Sequence, residues 1–191
     1  MPKIVEDEQI FRAVLQVVSE RGYAGAATKQ MAEAAEVSEV TLFRKYENKA
    51  QLVKQAVSHI AAQTNFAASV RYTGDVQADL LRIVQAYQDT AVKHGLFIFA
   101  LFADLARHPE LIDAMKEPFS IFRSIGDLIA RYQSEGVLEA EYPLHAVAKL
   151  LAPLVYISTI RNTGFDSRMP DLDLSKHVTL YLKGHAPDMK S

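Results

Sequence analysis

Residues 36–52, EVSEVTLFRKYENKAQL, set the tightest constraint on the fold: a tight turn, one short polar-faced helix, then a capped restart into a longer helix. Ser38 can cap the short helix by accepting a hydrogen bond from an otherwise unpaired backbone N–H, and Leu42 and Tyr46, four apart, give it an inner face. Thr41, Arg44 and Lys45 then point outward. Asn48 is placed to cap the next helix, which puts the cation Lys49 in a first turn where the helix dipole disfavours positive charge. An anion from outside the chain resolves that mismatch, and a DNA phosphate would receive both the free N–H groups and the ammonium.

The chain upstream is consistent with this. Ile10, Phe11, Val14, Leu15 and Val18 recur at helical spacing, and Gly22 after Arg21 is a stop signal. Thr28 can open a second helix with Met31 and Ala35 on its inner side, and Glu36, Val37 and Ser38 turn into the third. Three short helices, the last two joined by a tight turn, make a helix-turn-helix module.

Ile10, Ala13, Arg21-Gly22-Tyr23, Ala32, Ala35, Val37-Ser38, Thr41-Leu42, Lys49 and Leu52 stand at the spacing of one known domain. The run from Ile10 to Leu52 resembles the N-terminal domain of the TetR family of transcriptional regulators. The resemblance implies an all-helical homodimer that binds a palindromic operator through this module and a small molecule through the rest. Three departures stand out. Ala26 and Ala27 replace a frequent threonine pair, so Thr28 caps one residue later or the second helix is poorly capped. Glu36 replaces a frequent turn glycine, and holding it at positive φ costs roughly 1 to 2 kcal/mol. Phe43 replaces a frequent tyrosine, while Tyr46 stands where phenylalanine is usual.

The expected DNA-facing set is Thr28, Lys29, Ser38, Glu39, Val40, Thr41, Phe43, Arg44, Lys45 and Lys49. Lys29, Arg44, Lys45 and Lys49 would hold phosphates, or Arg44 would read a guanine edge through O6 and N7. Thr41 is a further phosphate candidate. Val40 can meet a thymine methyl, and Glu39 can accept from cytosine N4 or repel wrong registers.

Charge argues against a globally basic nucleic-acid binder. The chain carries a formal net charge of −2, and residues 1–50 hold seven Lys/Arg against eight Asp/Glu. A local patch is required instead: the four cations on one face, with Glu6, Asp7 and Glu8 in an N-terminal tail. Cysteine is absent, which removes disulfides, thiol catalysis and cysteine-ligated zinc. The acidic N-terminus lacks an apolar signal core, and apolar runs such as 96–103 fall far short of the ~18 residues that span a bilayer. The expected setting is the cytoplasm, without membrane contact.

Beyond residue 52 the expectation is a series of amphipathic helices: one from Lys49 to about Val70, a break at Thr73-Gly74 with Asp75 capping the next, and a stop at Gly95. An apolar helix over 96–106, a short one from Pro109, and one from Pro118 to about Glu135 follow. After Gly136 come a helix from Pro143 to about Thr163, a loop over 164–173, and a last helix near Leu174 to Lys183. The fold class is all-α, with a DNA-binding head over 1–52 and a ligand-binding and dimerisation body over 53–191. Leu144, Val147, Leu151, Leu154 and Ser158, joined by Val178, Tyr181 and Leu182, form a stripe open to two readings: ordinary core or, as the resemblance implies, a two-fold interface.

Five of the nine phenylalanines, Phe97, Phe99, Phe102, Phe119 and Phe122, fall within 26 residues. They read either as packed core or as the wall of an apolar cavity. Phe66, Tyr87, Phe99, Phe102 and Phe122 are the candidate lining, with Arg123 and Gln88 as nearby polar groups. Asp104 and His108 alone have ligand-like spacing, and two ligands do not define a metal site. No nucleophile elbow or glycine-rich phosphate loop is present, so neither catalysis nor a cofactor is expected. The functional expectation is a repressor released from its operator by a small hydrophobic or aromatic molecule. Two alternatives are a DNA-bound protein whose body docks a protein partner, and an all-helical enzyme with a vestigial head.

Overall fold

Helix signals account for all the regular structure: among the described residues, 7–165 and 168–186 of a computed structural model, there is no strand. In chain order the helices are α1 (Asp7–Gly25), α2 (Thr28–Ala34), α3 (Glu39–Tyr46), α4 (Lys49–Gln63), α5 (Phe66–Ser69), α6 (Val76–Asp104), α7 (Leu111–Ala114), α8 (Lys116–Ser134), α9 (Pro143–Asn162) and α10 (Leu174–Gly184). They divide into two compact units: Met1–Gln63 with Leu96–Glu117, and Thr64–Gly95 with Pro118–Ser191. The first boundary falls after residue 52 because α4 buries Leu52, Val53, Ala56, Val57 and Ile60 in the same core as α1.

In the first unit the apolar spacing of α1 buries Ile10, Phe11, Val14, Val17 and Val18 against Met31 and Ala32 of α2, Leu42 and Tyr46 of α3, and α4. Gly22 interrupts α1 at φ 69, ψ 169, and the chain turns so that Tyr23 is buried. The freed Ala24 N–H donates to the Asp104 carboxylate at 3.1 Å. Leu111 and Met115, from α7 and the residue after it, complete this core.

The second core gathers Leu80, Ile83 and Val84 of α6, Ile121, Ile125, Leu128 and Ile129 of α8, and Leu150, Leu151 and Leu154 of α9. Buried Asp79 accepts from the Thr73 N–H (2.7 Å) and hydroxyl (2.6 Å), Tyr132 Oη (2.6 Å) and Arg82 Nη2 (2.7 Å). Burial alone would raise this carboxyl, but those hydrogen bonds outweigh it and hold it at about 2. Gly136, at φ 71, closes α8: Val137 N–H returns to Tyr132 O (2.9 Å) and Gly136 N–H to Gln133 O (3.1 Å).

Several expectations need correction. The helix from Lys49 ends at Gln63 and not near Val70, because α4 packs into the first core and the chain leaves the helix at residues 64–65 before Phe66, which opens the short α5 and is buried in the second core. Asp75 does cap α6, accepting from Ala78 N–H at 3.0 Å, but α6 runs through Gly95 to Asp104. A mid-helix glycine costs about 1 kcal/mol; burial of Phe97 and Leu101 in the first core outweighs it.

The stripe on α9 is also corrected. Val147, Leu151, Leu154 and Ser158 are buried within the protomer itself, as are Val178 and Tyr181. Leu144 is exposed, and α9 and α10 present Tyr156 (67% exposed) and Leu180 (57%) instead. Averaged over Pro143–Arg161, α9 is long and apolar enough to cross a membrane, unlike the short runs considered above. It places Ala146, Val147, Leu150, Leu151 and Leu154 in the second core, and 33% of that stretch is buried within the protein.

Candidate nucleic-acid interface

The reading helix is positioned from both ends. Ser38, at φ −78 and ψ 147, accepts from Thr41 N–H at 3.1 Å, the expected cap worth about 1 kcal/mol. Upstream, Glu36 sits at φ 54, the left-handed conformation anticipated where a glycine is frequent. Gln9 of α1 donates to Ala35 O at 3.0 Å and ties the turn to the core. Downstream, Asn48 caps α4 by accepting from Gln51 N–H at 2.9 Å. Leu42 and Tyr46 are buried as expected, so the orientation of α3 is set by its inner face.

The outer face carries Val40 (76% exposed), half-exposed Phe43, and exposed Arg44 and Lys45. Arg44 and, on α2, exposed Lys29 have no hydrogen-bond or ion-pair partner among the described residues. They are the two expected cations whose charge is unspent.

Elsewhere the structure redistributes the expected contacts. Thr28 is the first residue of α2 and does not cap it: Ala27 occupies the cap position without a side-chain bond, and Gln30 Oε1 reaches back to Ala27 N–H at 3.1 Å. The Thr28 hydroxyl donates to Glu39. That gives Glu39 a partner inside the protein, in the first turn of α3 where the helix dipole favours a carboxylate. The Thr41 hydroxyl is 2.8 Å from Ser38 Oγ and half-buried.

Lys49 does not face outward. Its ammonium donates to Tyr23 O and lies 4.2 Å from the Tyr23 ring centroid. Burial pushes Lys49 below the usual lysine range, partly offset by Asp104 and Glu110. The first-turn cation is satisfied by a carbonyl 26 residues upstream and a ring face, not by an outside anion. Tyr23 is itself buried and raised to about 12 by burial and then by Glu110.

Lys45 forms an ion pair with Asp7, which also accepts from Tyr46 Oη at 2.6 Å. Asp7 therefore belongs to the reading surface and not to a tail remote from it; Glu6 lies outside the described residues. The Lys45 and Tyr46 hydrogen bonds hold the Asp7 carboxyl below its ordinary value. Sequence reasoning placed Asp7 among the acidic residues to be explained away. The signal that could have found it is the polar hydroxyl at Tyr46, a buried aromatic whose oxygen needs a partner.

In the second unit Phe66, Tyr87 and Phe122 pack as a trio, with centroids 5.4 to 6.3 Å apart. Burial alone raises the Tyr87 phenol to about 12. Gln88 Oε1 is buried without a hydrogen-bond partner, while Arg123 is exposed. Phe99 and Phe102 belong to the other unit and are 51% and 39% exposed, outside the trio. No group of three or more His, Cys, Asp or Glu among the described residues is arranged to hold a metal.

A capped three-helix head with an outward reading helix, followed by a helical body, defines a helix-turn-helix DNA-binding transcriptional regulator. Residues 10–56 match the family model described as bacterial regulatory proteins, tetR family. The head of the chain is thus a DNA-binding domain of the TetR-family type over those residues. It is 28% identical over 192 residues to YvkB, an uncharacterised HTH-type transcriptional regulator of Bacillus subtilis, covering 95% of this chain and 98% of that one. Its fold is similar to that of a TetR-family regulator from Marinobacter aquaeolei VT8 (TM-score 0.75, 16% identity, 94% and 95% of the two chains). It is also similar to the TetR-family regulator PfmR from Thermus thermophilus (TM-score 0.67, 13% identity, 95% and 99%).

Proposed function

We propose that the protein is a cytoplasmic, homodimeric repressor that binds a palindromic operator and leaves it when a small hydrophobic or aromatic molecule enters the body. The observation that carries the DNA part is the outer face of α3, where Arg44 is exposed without a partner beside exposed Val40 while Leu42 and Tyr46 anchor the opposite side. Arg44 reads a base edge, Val40 meets a thymine methyl, and Lys29 holds a phosphate. The remaining members of the DNA-facing set shape this surface through their own bonds. With Arg44 on a base edge and Lys29 as the unspent cation on phosphate, about two phosphates per dimer are neutralised, giving a log–log salt slope near −2.

Selection of bound sequences from random DNA, followed by binding measurements on the selected palindrome, tests this. Arg44→Ala should cost about 1 to 3 kcal/mol and relax preference at one base position per half-site. Equal affinity for the selected site and random DNA at ~150 mM salt would remove the reading surface.

The effector site proposed is the Phe66–Tyr87–Phe122 trio, an apolar wall with no charged side chain in it. Released operator follows only if the molecule binds the DNA-incompetent state more tightly. The dimer face proposed is the α9–α10 surface bearing Tyr156 and Leu180. The reading in which the body docks a protein partner is favoured by one feature, the exposed Val92 of the second unit. Metabolite screening for release from the selected palindrome separates the two: release by a small molecule, lost in Phe122→Ala, supports the effector site.

A further inference from the structure

The Asp7 carboxylate holds two donors at the end of α3: the exposed Lys45 ammonium and, from the buried inner side, the Tyr46 hydroxyl at 2.6 Å. An exposed ammonium at the end of a reading helix is a group that a DNA phosphate oxygen would take. A carboxylate oxygen and a phosphate oxygen accept such a bond in the same geometry. Both charged partners are about half exposed, at 43% for Lys45 and 51% for Asp7, so solvent and DNA can reach the pair. Asp7 also lies in the first turn of α1, where the helix dipole stabilises its negative charge independently of Lys45.

We propose that Asp7 is an internal competitor for a DNA phosphate, holding Lys45 in the free protein and keeping it off the phosphates when DNA binds, so that it sets the affinity of the head from within. This inference rests on the reading of α3 as the DNA-facing helix. It adds an affinity-setting residue to that surface. With Lys45 held on Asp7, the head makes one phosphate contact fewer in every register, while the base contacts of Arg44 are untouched.

Asp7→Asn tests the proposal, since the amide oxygen still accepts from the Tyr46 hydroxyl but no longer neutralises Lys45. An exposed ion pair is worth roughly 1.4- to 5-fold, so binding of a short mixed-sequence duplex by a two-headed dimer should tighten by about 2- to 30-fold. The salt slope should steepen by about 0.9 per head, or about 1.8 per dimer, as two more phosphates are neutralised. Adding Lys45→Gln should erase both gains, whereas Lys45→Gln in the unaltered protein should leave the slope nearly unchanged. Binding by Asp7→Asn that is weaker, or tighter with an unchanged slope, would overturn the proposal. So would a loss of about 1.8 in slope from Lys45→Gln alone, which shows Lys45 already on phosphate and needs no folded Asp7 variant. Arg44→Ala on the selected palindrome keeps the two readings apart: no effect there defeats the DNA-facing assignment, whatever Asp7→Asn does.

Discussion

Glu47 links the reading helix to α4 in a conformation that an L-residue rarely holds, and relieving it should stabilise the protein. Its backbone lies at φ 63, ψ −52, with Asn48 N–H bonded to Tyr46 O at 2.6 Å across it. This is a γ-turn of the strained hand. Such a residue stores about 1 to 3 kcal/mol. Glycine adopts the conformation freely but loses more backbone entropy on folding, which takes back about 0.5 to 1 kcal/mol. The Glu47 side chain is exposed and makes no ion pair among the described residues, so little else is lost. Glu47→Gly should therefore gain about 0.5 to 2 kcal/mol, and a chain of this size converts each kcal/mol into about 2 to 4 °C of Tm. Thermal unfolding by circular dichroism measures it, with Glu47→Gln as the companion that removes the charge and keeps the strain. A lowered Tm for Glu47→Gly, or an equal rise in Glu47→Gln, would show that strain is not what glycine relieves.

Three further outcomes follow from the same geometry. Asp79 has a folded value of about 2 against an ordinary 3.8, so its contribution is complete above the unfolded value and is lost as pH falls through the folded one. That contribution is about 2 kcal/mol, and urea unfolding of Asp79→Asn as pH is lowered should lack this part of the acid-side fall. Leu154→Glu should unfold the second unit because Leu154 is wholly buried, whereas Tyr156→Glu or Leu180→Glu should leave the helical spectrum intact and yield a monomer by sedimentation. Gly22→Ala should destabilise by at least about 1 to 2 kcal/mol in denaturant titration, since φ is +69 and the added Cβ would meet Asp104 Oδ2 at 3.2 Å.

Local signals were legible in the sequence wherever the deciding partner lies within a few residues. Ser38, Asn48 and Asp75 all cap helices through bonds three residues on. The inner faces of α1 and α3 follow from spacing alone, and the strained turn at Glu36 from a missing glycine. What was not legible depends on partners distant in the chain. The end of α4 is decided by packing, since its apolar residues enter one core and Phe66, three residues past its end, enters the other. The stripe on α9 shows the same limit: spacing reveals that Leu151 and Leu154 share a face, but whether their own protomer or a second one covers it is a tertiary fact.

The charge pattern of the head makes the consequence functional. Four cations at the expected positions are not four equal phosphate ligands, because Lys49 is turned onto Tyr23 and Lys45 onto Asp7. Their energies differ in kind. Lys49 is desolvated and bonded to a carbonyl, so it fastens α4 to the turn after α1 and would have to break that joint to reach DNA. Lys45 is exposed and held only by a carboxylate, so that neutralising this one partner would free its ammonium. The acidic residues that make the whole chain anionic are thus not uniformly remote from the reading surface. Glu39 and Asp7 lie within it, and by occupying Thr28 and Lys45 they leave Arg44 and Lys29 exposed and without a partner among the described residues. On the proposed reading of α3, a head built this way gains less from indiscriminate phosphate attraction and relies more on Arg44 at a base edge.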